Sequence, residues 1–253
     1  MSRTLLFDAD SFAYSVACMV ETPIHWGDDL WTLHSDAKEA KLQLDNTIKR
    51  VVDLIDGTNS LFFLTDGDNF RKAVLPTYKM KRKETRKPTI LGELREYLIE
   101  KYGAVRWESL EADDVVGIHS TSPTLVKGER VIVSIDKDMK TIPGLVFNPN
   151  NADVGIIKIT EEQADLYHMT QTLTGDPTDG YSGCPGVGAV KAAKILNVPR
   201  ADRWNAVLQA FKDAELGEEE ALRQARVARI LRAGEYDKKT GKVKLWTPQM
   251  IQQ

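Results

Sequence analysis

Three short apolar runs, Thr4 to Phe7, Ser60 to Thr65 and Arg130 to Ile135, are each followed at once by an aspartate: Asp8, Asp66 and Asp136. Runs of this length, the second and third entered from turn-prone or charged stretches, read as buried strands. Between them lie longer helical patterns, Ala37 to Ile55, Leu91 to Tyr102 and Glu111 to His119, so strands alternate with helices. That alternation predicts an α/β fold with a mainly parallel sheet flanked by helices. Ligands of such sheets bind beyond the carboxyl ends of the strands, where three parallel strands would bring their terminal aspartates together. Ala104 to Trp107 and Ile156 to Ile159 are candidates for further strands. After Thr160 the pattern turns helical, over Glu161 to Leu173, Ala189 to Asn197, Arg203 to Ala214 and Glu218 to Leu231. The expected division is an α/β core over residues 1–160 and a helical region over 161–253. A chain of 253 residues suits one large domain or a domain with an appendage.

With 42% hydrophobic and 28% charged residues the chain can bury a core and lies far from the composition of disorder. No window reaches the roughly 18 uncharged apolar residues of a membrane span. Met1-Ser2-Arg3 leads straight into a strand pattern without a signal-peptide layout, so a soluble, unexported, cytoplasmic protein is expected. Cys18 and Cys184 form no CxxC pair, and His25, His34, His119 and His168 show no paired spacing, which argues against zinc.

The net charge of -3 hides a segregation. Between Arg71 and Lys87, eight basic residues (Arg71, Lys72, Lys79, Lys81, Arg82, Lys83, Arg86, Lys87) face one acid, Glu84, a local charge of +7 that leaves -10 for the rest. A solvated basic loop is the ordinary reading of such a run. Two aromatics, Phe70 and Tyr78, raise another. Cations that release counterions on meeting phosphates, interleaved with rings that stack on bases, suit a single-stranded or frayed nucleic acid.

Glu111, Asp113 and Asp114, Asp136 and Asp138, and Asp176 and Asp179 join Asp8 and Asp66 to give nine acids in five clusters. Each cluster alone has a structural reading: Ser109 as a helix cap, aspartates closing turns at strand ends, Asp176-Pro177-Thr178-Asp179 as a turn. Their conjunction points elsewhere. Nine carboxylates at one sheet edge repel one another and are tolerable only with cations between them. Hard oxygen ligands without His or Cys select Mg²⁺, or Mn²⁺ in its place. Two such ions, roughly 3.5–4 Å apart, serve phosphoryl transfer. Without these nine acids the chain carries +6, so an acidic pocket would lie within a basic remainder, as a nucleic-acid hydrolase requires.

Gly183-Cys184-Pro185-Gly186-Val187-Gly188 precedes the helical pattern containing Lys191. Gly186 and Gly188 are expected to permit positive φ and close backbone approach, and the helix start to hold a phosphate or a bridging cation. The P-loop is excluded because no Gly-Lys-Ser/Thr follows, and the dinucleotide fingerprint because no buried strand immediately precedes. A helix end and turn is the plain alternative. Pro-Gly-Val-Gly followed by Lys191 is the pattern of a helix-hairpin-helix grip on DNA backbone, near 183–196.

In this order the motifs resemble the 5′-nuclease family, which includes flap endonucleases and the 5′-nuclease domains of bacterial DNA polymerases. Phe7-Asp8-Ala9-Asp10-Ser11 resembles its first motif, and Thr65-Asp66-Gly67, with Phe70-Arg71 and Pro76 to Arg82, its second aspartate and basic clamp. Leu110 to Asp114, Ser134 to Met139, and Leu173 to Asp179 running into Pro185 to Gly188 resemble the remaining motifs. The length and the segments Arg226 to Leu231 and Lys244 to Pro248 are most similar to the stand-alone exonucleases of short-tailed lytic phages.

The resemblance implies a PIN-like nuclease core over 1–160 with a basic clamp at 70–90, and a helical DNA-binding region over 161–253. It implies a two-Mg²⁺ 5′→3′ exonuclease on duplex DNA with a 5′ end, with flaps and RNA–DNA hybrids as further substrates, in phage replication, recombination and host DNA degradation. Asp8, Asp66, Glu111 and Asp113 would form the tighter metal site, and Asp114, Asp136, Asp138, Asp176 and Asp179 the second. Lys79 and Arg82 would steady the scissile phosphate, with Arg71, Lys72, Tyr78, Lys81 and Lys83 beside them on the DNA. Gly186, Gly188 and Lys191 would hold duplex backbone, with K⁺ as the bridging cation. Ala9 stands where the family usually has glycine, and Asp10 adds an acid; Asp8 is the expected metal-facing aspartate. Phe70 to Leu91 is short for a helical arch, which favours a recessed or frayed 5′ end over threading of a long flap. The rivals are a PIN-type ribonuclease, which needs neither glycine hairpin nor long clamp, and a non-catalytic DNA-binding protein whose acids serve as caps.

Overall fold

The computed structural model describes residues 2–251, and the side chains of Lys83 and Ile251 fall outside the description. The chain enters through β1 (Arg3–Asp8), whose residues Leu5, Leu6 and Phe7 are fully buried, and turns at Asp8 into α1 (Ala9–Val20). An antiparallel hairpin follows, β2 (Thr22–His25) and β3 (Trp31–His34). Next come α2 (Ala37–Leu54), β4 (Asn59–Leu64), a single turn α3 (Arg71–Val74), α4 (Leu91–Tyr102), β5 (Val105–Arg106) and α5 (Ala112–Thr121). The sheet is completed by β6 (Glu129–Val133), β7 (Gly144–Phe147) and β8 (Ile157–Ile159).

The six strands lie in the order β5-β4-β1-β6-β7-β8, parallel throughout except for the antiparallel β7–β8 pair. The expected mainly parallel α/β sheet is thus present. From β1 the chain winds outward to β4 and β5, then returns to lay β6 on the other flank of β1. That reversal opens a crevice at the carboxyl ends of β1 and β6, where α/β sheets bind their ligands. Asp8 closes β1, and Ser134 to Asp138 follow β6 there.

Two apolar layers sandwich the sheet. One packs α1, α2 and α4 over Leu5, Phe7, Phe62, Leu64, Val131 and Val133. The other packs α5 over Leu6, Phe63 and Ile132, and also takes in Ile230 and Leu231 from the far end of the chain. Alternate residues of β1 feed opposite layers, as the period of a strand requires.

The second half is helical, with α6 (Glu161–Thr174), α7 (Ala189–Ile195), α8 (Arg203–Asp213) and α9 (Glu218–Ala228) around a third core of Met169, Leu173, Val207, Phe211, Ala221, Ala225 and Trp246. The sequence pattern carries α9 on to Leu231, but the helix stops at Ala228 and Arg229 is extended. The reason is tertiary: Arg229 to Leu231 leave the helix to join the α/β half. A short hairpin, β9 (Tyr236–Asp237) and β10 (Lys242–Val243), lies against that half, and Trp246 returns to the helical core. Near residue 160 the secondary structure changes from α/β to helical, and Arg229 to Leu231 with the β9–β10 hairpin cross back to pack on the α/β half.

Candidate active site

The acids after β1 and β6 meet at the crevice. Asp8 is buried and accepts a hydrogen bond from the Ser134 hydroxyl at 2.9 Å. Burial, then the negative charges of Asp10 and Asp136, push its carboxyl up to about 6. Asp113, in the first turn of α5, is raised well above the usual carboxylate range by burial and by the charges of Asp8 and Asp136. Asp138 is raised to about 7 by burial and Asp136, and accepts a hydrogen bond from Gln171 of α6 at 2.7 Å. Like charges crowded in this way disfavour each other's ionised form. Asp10, close enough for its charge to act on Asp8, accepts the Thr65 N–H at 2.7 Å and lies 3.2 Å from Arg95. Asp8 is the aspartate whose charge acts on Asp113.

A second group of acids is held by the protein's own cations. Glu111, the N-cap of α5, accepts from Lys79 at 2.5 Å and from the Tyr78 hydroxyl at 2.8 Å. Burial alone would raise its carboxyl, but Lys79 and Arg71 overcome this and bring it to about 2. Asp179 accepts from Arg82 at 2.5 Å and from Tyr78 at 3.2 Å, with Lys79 3.6 Å away. Lys137 lies 3.1 Å from Asp176, which also accepts the Thr178 N–H at 2.8 Å; against burial, these lower the Asp176 carboxyl.

The clamp and the last carboxylate pair are locked together through backbone. The Lys79 N–H donates to the Asp179 carbonyl at 2.7 Å, and Lys79 itself has a φ of 53°. A Cβ on Gly180 would lie 2.7 Å from the Thr77 carbonyl, so this position requires glycine. The sequence order of clamp and acids thus becomes one contact surface.

Several expected roles do not survive. Asp114 is fully buried, paired to Arg71 by two hydrogen bonds of 2.7 Å, and also accepts the N–H groups of Leu231 at 3.1 Å and Glu111 at 3.2 Å. Its two oxygens are taken up by these partners, and its pairing with Arg71 is a buried structural ion pair. Arg71 is equally buried and donates to the carbonyls of Val227 at 2.9 Å and Arg229 at 2.6 Å, which removes it from any DNA-facing surface. Tyr78 is buried as well and spends its hydroxyl on Glu111 and Asp179 rather than offering its ring to a base. Asp66 accepts the Ser109 N–H at 2.9 Å, and that hydrogen bond, with further ones from the Gly67 and Asp68 backbone, lowers its carboxyl against burial. Ser109 does not cap α5, because Glu111 does.

Lys72 and Lys81 are exposed beside the clamp, Lys72 lying 3.4 Å from Asp68. The Lys83 side chain falls outside the described residues. Lys191 is exposed on α7. Gly186 has a φ of 70°, whereas Gly188 sits at -92° and needs no glycine conformation. A Cβ on either would meet nothing within 4 Å, so the tight approach lies earlier: at Gly183 a Cβ would be 2.3 Å from the Gly175 nitrogen.

Sequence reasoning passed over Ser134, Gln171 and Lys137. Ser134 was findable, since it ends the same apolar run as Asp136 and its neighbour Val133 pairs in register with Phe7. Gln171 was not, because its partner Asp138 is 33 residues away.

Among the described residues, no three His, Cys, Asp or Glu side chains stand close enough to hold a metal ion as they are placed. The nine acids therefore do not form one ready cage. Part of the set is turned to the chain's own cations. Asp8, Asp113, Asp136 and Asp138 make an all-oxygen donor group, in which burial and then neighbouring acids push the carboxyls of Asp8, Asp113 and Asp138 up, which fits a hard divalent cation.

A parallel sheet with this acidic edge and a helical region beyond it is the fold of the 5′-nucleases. A flap endonuclease of bacteriophage T5, solved as a pseudo-enzyme–product complex with DNA and metal ions, superposes with a TM-score of 0.62 at 15% identity, covering 89% of this chain and 88% of that one. The exodeoxyribonuclease of Enterobacteria phage T3 is 31% identical, the alignment covering 96% of this chain and 92% of the relative. The exonuclease of Escherichia phage T7 is 30% identical over 96% of this chain and 93% of its own length. The chain belongs to this family of phage exonucleases. No protein-family model matches it.

Proposed function

We propose that the chain is a divalent-metal-dependent 5′→3′ exonuclease that hydrolyses DNA phosphodiester bonds from the 5′ ends of duplex DNA. The observation that carries this reading is the uncompensated crowd of Asp8, Asp113, Asp136 and Asp138 at the sheet's switch point, with Lys79, Arg82 and Lys137 on the neighbouring acids. Those four acids, joined by Glu111, Asp176 and Asp179, would hold two Mg²⁺ ions, with Mn²⁺ able to replace them. Bound there, the ions supply Lewis acidity toward phosphate oxygens and lower the pKa of water.

The chain's own groups do the rest. Lys79 and Arg82 present cationic N–H donors at the rim of the acidic crevice, where a scissile phosphate gains charge as it reacts. Ser134 fixes the Asp8 carboxylate, and Gln171 fixes that of Asp138. The turn around Gly186 and Gly188, open to approach, and exposed Lys191 would hold duplex backbone away from the cut, with K⁺ as a bridging ion. Residues 1–160 with clamp 70–90 would do the chemistry, and 161–253 would grip DNA. Only a short 3₁₀ turn, Met80–Lys83, stands between α3 and α4 where a helical arch would rise, which favours a recessed or frayed 5′ end over long flaps. Flaps and RNA–DNA hybrids are secondary substrates in this reading, and host cytoplasm is the site of action.

The test follows duplex DNA labelled at the 5′ end or at the 3′ end, incubated with wild type or Asp113→Asn, in Mg²⁺ or EDTA. Metal-dependent release of short 5′ products by wild type, lost in the variant, is the expected result. Intact DNA under every condition overturns the reading.

A further inference from the structure

The basic segment has lost the aromatic partners its sequence promised, because Tyr78 is buried and Phe70 lies against Arg71, its ring 4.6 Å from the guanidinium carbon. Among the described residues the two most exposed aromatic rings are elsewhere, on the β2–β3 hairpin. Trp26 is 64% exposed and Trp31 58%, and Leu30 and Leu33 are exposed with them. Between Thr22 and His34 only Ile24 is even half-buried. A two-stranded hairpin is marginal by itself in water, and apolar rings on it gain nothing from the fold while they remain solvated.

The hairpin is nonetheless built to a defined shape. The register pairs His25 with Trp31 and Pro23 with Leu33, so these four share one face, and the His25 and Trp31 rings stack at 4.3 Å. On the other face the Trp26 indole N–H donates to the Thr32 hydroxyl at 2.8 Å. Each face thus presents one fixed indole.

The hairpin's location says what it meets. Its root residue Glu21 receives both terminal nitrogens of Arg86, at 3.0 and 2.5 Å, and the Thr89 N–H at 2.7 Å. At its other root the Ser35 hydroxyl lies 3.2 Å from that of Thr89. One root is therefore tied to Arg86 of the +7 segment, and the other to Thr89, two residues beyond its end, so the hairpin stands next to the basic run. The hairpin root is one helix, α1, away from Asp8, ~18 Å for twelve residues.

We propose that the β2–β3 hairpin is a base-stacking platform for unpaired nucleotides of the DNA, with Trp26 and Trp31 taking base faces while the basic segment takes phosphates. This rests on the nuclease reading and extends it by naming single-stranded DNA adjoining the duplex as a ligand. Indole faces stack on every base, so the contact carries no sequence preference. The acidic tip, Asp28 and Asp29, keeps phosphates off the rings' outer end.

The test is equilibrium binding in EDTA, where nothing is hydrolysed, to a duplex bearing a single-stranded tail of thymidines, and to the same duplex with an abasic tail. Wild type should bind the base-bearing tail about tenfold or more tightly than the abasic one, the scale of one stacked base. Trp26→Ala/Trp31→Ala should reduce that ratio to within about twofold, with the salt dependence of binding unchanged because phosphate contacts remain. Trp26→Phe/Trp31→Phe, which keeps a ring at each position, should retain most of it. Equal binding of the two tails by wild type overturns the proposal. So does a ratio that survives the alanine variant, or one lost equally in the phenylalanine variant. Concentration-dependent dimerisation abolished by the alanine variant, without any base preference, would assign the hairpin to a second copy of the chain and also overturn it. Hydrolysis of the same duplex in Mg²⁺, measured in parallel, distinguishes failure of the nuclease reading from failure of this one.

Discussion

The acidic edge divides into two regions built from the same residue types under opposite electrostatics. Glu111, Asp114, Asp176 and Asp179 each have a cationic side chain of the protein in contact. Asp8, Asp113, Asp136 and Asp138 face mainly one another, and the carboxyls of three of them are pushed up. In the first region folding supplies the counterion, so the acids stabilise the structure that holds them. In the second, folding concentrates negative charge that only an added cation can offset, so the acids are held against their own repulsion. Strained electrostatics of this kind collect where chemistry is done.

The largest effect should come from the deepest pair. Arg71→Ala leaves Asp114 charged in a fully buried site, and urea unfolding should show a loss of about 3–5 kcal/mol. A loss under 1 kcal/mol would mean the pairing is not what holds these acids. Next, Asp113→Asn should lower the hydrolysis rate on the order of 10²–10³-fold while leaving the metal-free Tm unchanged or higher, because a repelling charge has gone. Glu111→Gln should lower both rate and Tm, since Lys79 and Tyr78 lose an ionised partner. Mg²⁺ should raise the Tm of wild type and not of Asp113→Asn; equal shifts would erase the contrast between the regions.

A crowd of the opposite sign gives a smaller effect. His168 is buried, donates its Nε2–H to the Ala225 carbonyl at 2.7 Å, and is held down to about 3 by burial and by the charges of Arg229 and Arg232. The unfolded chain takes up its proton near pH 6.5, before the folded chain does. Its contribution to stability is therefore complete above 6.5 and falls as the pH drops toward 3, by about 1.4 kcal/mol per pH unit. Denaturation midpoints at several pH values in EDTA should show this fall, and His168→Gln should lack it. The smallest effect belongs to Lys137→Ala. That side chain is 65% exposed, so loss of its pair with Asp176 should cost less than about 1 kcal/mol in thermal unfolding.

The sheet was legible from sequence because buried parallel strands announce themselves as short apolar runs, and β1, β4 and β6 lie close to where the runs were read. So was the meeting of Asp8 with Asp136, which follows from parallel neighbours ending at one edge. The β2–β3 hairpin was not, since it buries almost nothing and leaves no hydrophobic pattern to read. Nor was β7, because Pro143 precedes it and it opens on Gly144, a pair that reads as a turn. Within the site, charge type was legible and burial was not. Arg71 reads like any other cation of its run, and its partner Asp114 is 43 residues away, a pairing no local pattern encodes. Likewise Gly186 and Gly188 carry the recognisable motif, while the glycine the backbone cannot spare there is Gly183, wedged against Gly175.

The Arg71–Asp114 pair has a consequence in time. Among its other hydrogen-bond partners are the backbone of Val227, Arg229 and Leu231, the last of them 117 residues beyond Asp114. At the ~5–20 residues per second of protein synthesis, α5 emerges and waits many seconds for the segment that seals the floor beneath Glu111 and Asp113. A ribosome-bound chain short of that segment carries the acids of the crevice without their finished seat. The crevice is thus seated only once Leu231 has been made, and a copy terminated before it lacks that seat.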